Sequence, residues 1–123
     1  MTGRSSKAKG YSGENAVVKW LREQGYAYAE RRRAGASKDT GDIVGVVVGL
    51  CIEVKNHARM ALAEWVDQLL EEMKNFSVPA WSGVVIHKRK GKTDVGEWYA
   101  TTTVNVWLDL MKKAEGKCDC TKP

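Results

Sequence analysis

The chain has few of the residues that staple or anchor a protein. Three cysteines in 123 residues are too few for the multi-bridge framework of a small secreted domain: Cys51 lies in a β-branched run, and Cys118 and Cys120 lie near the end. The pair Cys118-Asp119-Cys120 is also two ligands short of a tetrahedral zinc site. No apolar run approaches the roughly 18 residues that a membrane span requires. The first ten residues, MTGRSSKAKG, are basic and small and lack the apolar stretch of a secretory signal. Internal repeats and low-complexity linkers are missing as well. These absences point to a protein that makes no membrane contact and works in a cytoplasm.

What is present fits one globular domain. A chain of this length buries a real core but does not divide into two domains of ordinary size. An apolar share of 43% beside 28% charged residues is ordinary for such a domain. Residues 1–123 are therefore read as a single domain, with 1–10 as a basic flexible arm and 115–123 as a flexible tail. The net charge is +5, and its distribution says more than its total. Basic residues gather at Arg31, Arg32 and Arg33, with Lys38 in the loop that follows; at Lys88, Arg89, Lys90 and Lys92; and in the arm at Arg4, Lys7 and Lys9. Such clusters suit a polyanionic partner, nucleic acid above all.

Hydrophobic periodicity orders the elements. Ser12 has the chemistry of a helix N-cap, Val17, Val18 and Leu21 recur at helical spacing, and Gly25 is a stop signal. Tyr26 to Arg33 alternates as a strand, and AGASKDTG reads as a loop. Ile43–Val48 and Leu50–Lys55 are β-branched runs parted by glycine, the pattern of a hairpin. Leu62, Trp65, Val66, Leu69, Met73 and Phe76 switch to a helical period that Pro79 ends. Gly83–His87 and Glu97–Thr102 are two further strands, and Val104, Trp107, Leu108 and Met111 form a closing helix. The expected class is α/β, a central mixed sheet of about five strands flanked by helices in the order α-β-β-β-α-β-β-α.

The stretch GDIVGVVVGLCIEVKNH, residues 41–57, carries the chemistry. Strand alternation puts Cys51, Glu53 and Lys55 on one face and Leu50, Ile52 and Val54 on the other. A hairpin turning about Val48-Gly49 would set Asp42 opposite Lys55 and Val44 opposite Glu53. Asp42 is then the diagonal neighbour of Glu53, roughly 7 Å away at Cβ. Two neighbouring carboxylates repel unless one is protonated or a cation lies between them. Oxygen ligation by Asp42, Glu53 and the carbonyl of Val54 suits Mg²⁺, with Mn²⁺ as a substitute. A lysine beside that ion can hold or deprotonate an attacking water and offset charge on a phosphate oxygen. The competing account is an exposed strand edge whose charges blunt aggregation. Glu14 extends the apolar stripe of the first helix, which would turn it toward the sheet; the alternative is a first-turn acid favoured by the helix dipole.

The ordered set resembles the PD-(D/E)XK nuclease superfamily, and within it the small archaeal-type Holliday-junction resolvases and similar phage-encoded proteins. The residues concerned are GENAVVKWLREQGY, RRRAGASKDTGDI, CIEVKN and the helix after them, about Gly10 to Met111. The resemblance implies a restriction-endonuclease-like core in which Asp42 and Glu53 hold Mg²⁺, Lys55 activates water and Glu14 assists. It also implies that Gln68 matches a glutamine often carried on the next helix, and Ser37 a serine that some resolvases place before the acid. Gly41 stands where the family name has proline. The implied activity is structure-selective cleavage of branched DNA such as four-way junctions, by a homodimer to which Trp81, Trp98 and Trp107 could contribute. Two other functions stay open: a related nuclease acting on flaps, nicks or ends, and a non-catalytic nucleic-acid-binding module.

Overall fold

The computed structural model describes residues 2–32, 41–76 and 79–116, with side chains from Lys9 onward. Along the chain run α1 (Thr2–Glu23), β1 (Glu30–Arg31), β2 (Ile43–Val44), β3 (Leu50–Lys55), α2 (Leu62–Lys74), β4 (Ser82–His87), β5 (Tyr99–Thr101) and α3 (Val104–Ala114). A 3₁₀ turn over Val95–Glu97 precedes β5. The five strands form one mixed sheet in the order β1-β2-β3-β4-β5. Only β3 and β4 are parallel; the other pairings are antiparallel. A parallel pair needs a crossover, which α2 supplies. The order of elements expected from periodicity is the one observed.

Two apolar clusters lie on opposite faces of the sheet. On one face Val17, Val18 and Leu21 of α1 pack with Ala29, Ile43, Ile52 and Val54. On the other, Trp65 and Leu69 of α2 pack with Cys51 and Val85. Strand β3 is thus covered on both sides, which its near-continuous apolar composition favours. Alternation along β3 sends Ile52 and Val54 toward α1, and Cys51, Glu53 and Lys55 toward α2.

The helix boundaries differ from expectation at the first element. Helix α1 begins at Thr2, so Ser12 lies inside it and does not cap it, and the basic arm is helical from Thr2 onward. Arg4, Lys7, Ala8 and Lys9 are all good helix formers, which outweighs Gly3 and Gly10 on either side of them. Gly13 serves packing: an added Cβ would sit 3.1 Å from Asn56 Cβ and 3.5 Å from Val54 Cγ1, so glycine brings α1 down onto the end of β3. The Asn56 side chain donates to the Lys9 carbonyl at 2.9 Å and ties the two together. At the other end Gly25, with φ +108°, closes a C-terminal motif in which the Tyr26 amide reaches the Leu21 carbonyl and the Gly25 amide that of Arg22.

The strands before β3 are shorter than their composition suggests. Among the described residues of Tyr26–Arg33 only Glu30 and Arg31 join the sheet, and of Ile43–Val48 only Ile43 and Val44. At Gly45, φ +82° turns the backbone away from the ladder, and residues 45–49 form a loop in place of a tight turn at Val48-Gly49. The pairing is Ile43 with Ile52, not the register that set Asp42 opposite Lys55. A shift of two residues preserves the faces while bringing Asp42 level with Glu53.

Gly45 accordingly has no substitute. A Cβ there would run into the Tyr28 carbonyl, and its positive φ strains any L side chain. Gly45→Ala is expected to cost about 1–3 kcal/mol or more, as for a non-glycine residue forced into a sparse backbone region. Gly91→Ala, at φ +81° in open space, is expected to cost about 1 kcal/mol. Urea unfolding of the two variants checks the difference.

Candidate functional site

The site lies where β3 ends, between the sheet and α2. Glu53 is 1% exposed, and Glu72 of α2, 3% exposed, faces it. With Cys51 these residues bring a thiol and two carboxylates within 4.8 Å of one another. Cys51, Glu53 and Glu72 therefore form a buried group that could hold a metal ion. It differs from the all-oxygen set expected from sequence, because a sulfur ligand lies beside the carboxylates.

Glu72 escaped the sequence reading, although its signal was present. Trp65, Leu69, Glu72 and Phe76 recur at helical spacing, so Glu72 is a carboxylate set within an apolar stripe. That is the pattern which drew attention to Glu14 on the first helix.

The carboxyl of Glu53 is pushed up to about 10. Burial is the largest cause; the facing Glu72 carboxyl, which could accept a proton carried by Glu53, and repulsion from Asp42 and Glu72 add to it, while Lys55 acts the other way. Two ionised carboxylates have no donor to place between them, and Glu53 Oε2 is buried without a hydrogen-bond partner. One proton shared across the pair answers that demand, and a cation answers it equally well. The Lys55 ammonium lies 3.9 Å from Glu53 Oε1, too long for a strong ion pair, and loses to burial. Its short contact is with Gln68, whose Oε1 accepts from Lys55 Nζ at 2.8 Å. Gln68, matched from the resemblance alone, thus positions Lys55.

Asp42 is locked to the end of β3. Its Oδ2 accepts from the Val54 amide at 2.8 Å, and its own amide donates to the Ile52 carbonyl at 2.7 Å. The Arg32 amide donates to the Asp42 carbonyl at 2.8 Å. Gly41, just before it, adopts φ +99°, which a proline ring cannot reach. A Cβ at Gly41 would lie 2.9 Å from the Ile52 carbonyl oxygen. Glycine is what the close approach of this turn to β3 demands.

Glu14 is placed elsewhere. Its Oε1 accepts from Arg31 Nε at 3.0 Å on the α1 side of the sheet, whereas Glu53 faces α2. Arg31 also stacks its guanidinium over Tyr11, 4.4 Å from the ring centroid. Arg31 is therefore engaged within the fold, and Arg32 donates to the Gly41 carbonyl at 2.9 Å. Lys92 pairs with Glu97 at 3.6 Å. Two clefts at the carboxyl end of β3 collect the other cations: Lys55, Lys88, Arg89 and Lys90 line one, and Lys9, Lys88 and Lys90 the other. Arg33, Ser37 and Lys38 lie outside the described residues, as do Cys118 and Cys120 and the side chains of Arg4 and Lys7. Among the tryptophans, Trp81 and Trp98 donate their indole N–H groups to the Val48 and Lys92 carbonyls, and Trp107 is 54% exposed. No helix among the described residues is long and apolar enough to cross a membrane.

The carboxyl pair makes stability depend on pH. Because the Glu53 carboxyl is raised on folding, the native chain holds a proton that the unfolded chain has lost between about pH 4.5 and about 10. Stability falls as pH rises wherever the native state binds the extra proton. In EDTA the melting temperature is therefore expected to decline from pH 5 to pH 9. Glu53→Gln, whose amide can donate to Glu72 without titrating, is expected to flatten that decline. Thermal melts across the pH range check both. Comparison with family models, curated proteins and solved structures finds no match to this chain.

Proposed function

We propose that the chain is a metal-dependent endodeoxyribonuclease of the PD-(D/E)XK type, acting on branched DNA, with four-way junctions as its substrate. One observation carries the reading: Asp42, Glu53 and Lys55 converge at the carboxyl end of β3, where Lys55, held by Gln68, opens onto a basic cleft. In open α/β sheets the carboxyl ends of parallel strands are where ligands bind. A structural ion pair alone would not require a buried carboxyl with an unsatisfied oxygen beside a lysine fixed by a neutral partner.

The donor set fits a divalent cation, since Glu53 Oε2 is buried without a hydrogen-bond donor. Asp42, Glu53 and the Val54 carbonyl would hold Mg²⁺ or Mn²⁺, with Glu72 facing Glu53 from α2. When bound, such an ion polarises a phosphoryl oxygen and makes a water more acidic. Lys55, held in place by Gln68, would donate toward a phosphate oxygen and the incoming water. The Val54 amide fixes the Asp42 carboxylate, so little reorganisation is needed as charge develops. Lys9, Lys88, Arg89 and Lys90 bind flanking phosphates, which gives affinity without base readout. Paired cuts on two strands call for two sites, hence a homodimer, and α3 offers Val104, Trp107 and Leu110 exposed for that contact.

Four-way junction, flap, linear duplex and single-stranded DNA, each with Mg²⁺ or EDTA, separate the alternatives. Symmetric cuts near the junction centre are expected in Mg²⁺ alone, with loss of at least about a hundredfold in Asp42→Asn. Cleavage confined to flaps or ends would move the substrate to those structures, and binding without metal-dependent cleavage would leave a non-catalytic module. Because the cation competes with the proton on Glu53, the Mn²⁺ concentration giving half-maximal cleavage is expected to fall as pH rises. Lys88→Ala and Lys90→Ala are expected to weaken junction binding and to lower the slope of log K against log salt by about 0.9 each.

A further inference from the structure

Beyond Lys55 the carboxyl ends of β3 and β4 open into a cleft of about 290 Å³. It contains a row of rings. His57, Trp65, His87 and Tyr99 follow one another with centroids 5.6, 5.5 and 5.3 Å apart. Trp65 and His87 are buried and make the floor, while His57 and Tyr99 are exposed at the two ends of the row. His87 is held by Thr101, with Nε2 and Oγ1 2.8 Å apart, and burial lowers its pKa, so the ring is neutral at pH 7. Above this floor the rim is cationic: Lys88, Arg89 and Lys90 line the cleft, and Arg89 lies 5.7 Å from the centre of the Tyr99 ring. The Lys88 amide donates to the Lys55 carbonyl at 3.1 Å, so the rim continues directly into the lysine beside the carboxylates.

The combination selects a ligand class. Phosphate-binding cations alone would suit any polyanion, but a row of aromatic faces adds nothing for a bare phosphate or an acidic peptide. A nucleotide uses both, because its base offers a π-face to stack and its phosphate an anion to pair. The volume, at the lower end of the roughly 300–1,000 Å³ of ligand pockets, suits one nucleotide and excludes a duplex. A base inside an intact helix cannot present its face to a protein floor. We propose that this cleft is a subsite for one unpaired nucleotide of a DNA strand, its base stacked along the His57–Tyr99 row and its phosphate held by Lys55 and Lys88. The inference rests on the nuclease reading for its choice of a DNA strand, and it narrows the substrate: an unstacked nucleotide must lie beside the phosphate that reaches Lys55. Branch points, flaps and ends supply one; uninterrupted duplex does not.

Binding measured in EDTA tests the subsite apart from catalysis. Anisotropy of a labelled single strand, of the same strand annealed to its complement, and of a flap reports the three affinities, with dAMP as competitor. The single strand and the flap are expected to bind about tenfold more tightly than the duplex, as the loss of one stacked base would predict. Tyr99→Ala and His57→Ala are each expected to remove most of that advantage while leaving duplex binding unchanged. Tyr99→Phe retains the advantage, and far-UV circular dichroism shows whether each variant is folded. Equal affinity for strand and duplex, or folded alanine variants that bind the strand as the parent does, would overturn the proposal. Displacement of the strand by micromolar dAMP would overturn it in favour of a free nucleotide. If stacking is observed but no substrate is cut in Mg²⁺, the nuclease reading fails and the subsite stands.

Discussion

Glu53 is a carboxyl group folded into the boundary between a sheet and a helix, opposite a second carboxyl from that helix. Neither can be ionised beside the other without a compensating charge, so the packing of α2 onto β3 is tied to a proton or a cation. The surroundings follow from this demand. Gln68, one turn before Glu72, takes up Lys55, while the Val54 amide takes up Asp42. Lys55, the cation that could relieve Glu53, is thus held just short of doing so. Lys55 stays 3.9 Å away, and Asp42 adds repulsion.

Such an arrangement is costly for a protein that needs only to be folded. A buried carboxyl pair lowers stability relative to apolar residues of similar size, and the cost is accepted where the charges have work to do. In the proposed nuclease that work is to hold a divalent ion next to a fixed lysine. The basic clefts lie at the same end of the sheet because β3 and β4 run parallel and both deliver their following loops there. Lys9 arrives from the other side, carried by α1, which glycine at position 13 allows to descend onto Val54 and Asn56.

Much of this was legible in advance. The 3.6-residue period of α2, the β-branched run of β3 and the helical stop at Gly25 come from local chemistry, and local chemistry was enough to order the elements. The shared face of Cys51, Glu53 and Lys55 follows from alternation alone. The hairpin register did not, because it depends on where the chain turns: positive φ at Gly45 and Gly49 replaces a two-residue turn with a longer loop. Glu14 was read toward the sheet on the strength of its stripe, yet which side of the sheet that stripe covers is a matter of topology, and on that side it meets Arg31.

Composition, periodicity and alternation were sufficient for the α/β class, the identity of the central strand and the candidates Asp42, Glu53 and Lys55, since each depends on residues close together in the chain. Distance along the chain hid the rest. Glu72 meets Glu53 across 19 positions, Gln68 meets Lys55 across 13, and the rings of His57, Trp65, His87 and Tyr99 are gathered from a strand end, a helix and two further strands. Contacts of that kind arise only when the parallel pairing of β3 with β4 draws the crossover helix over both, and no local pattern encodes which side chains then face one another.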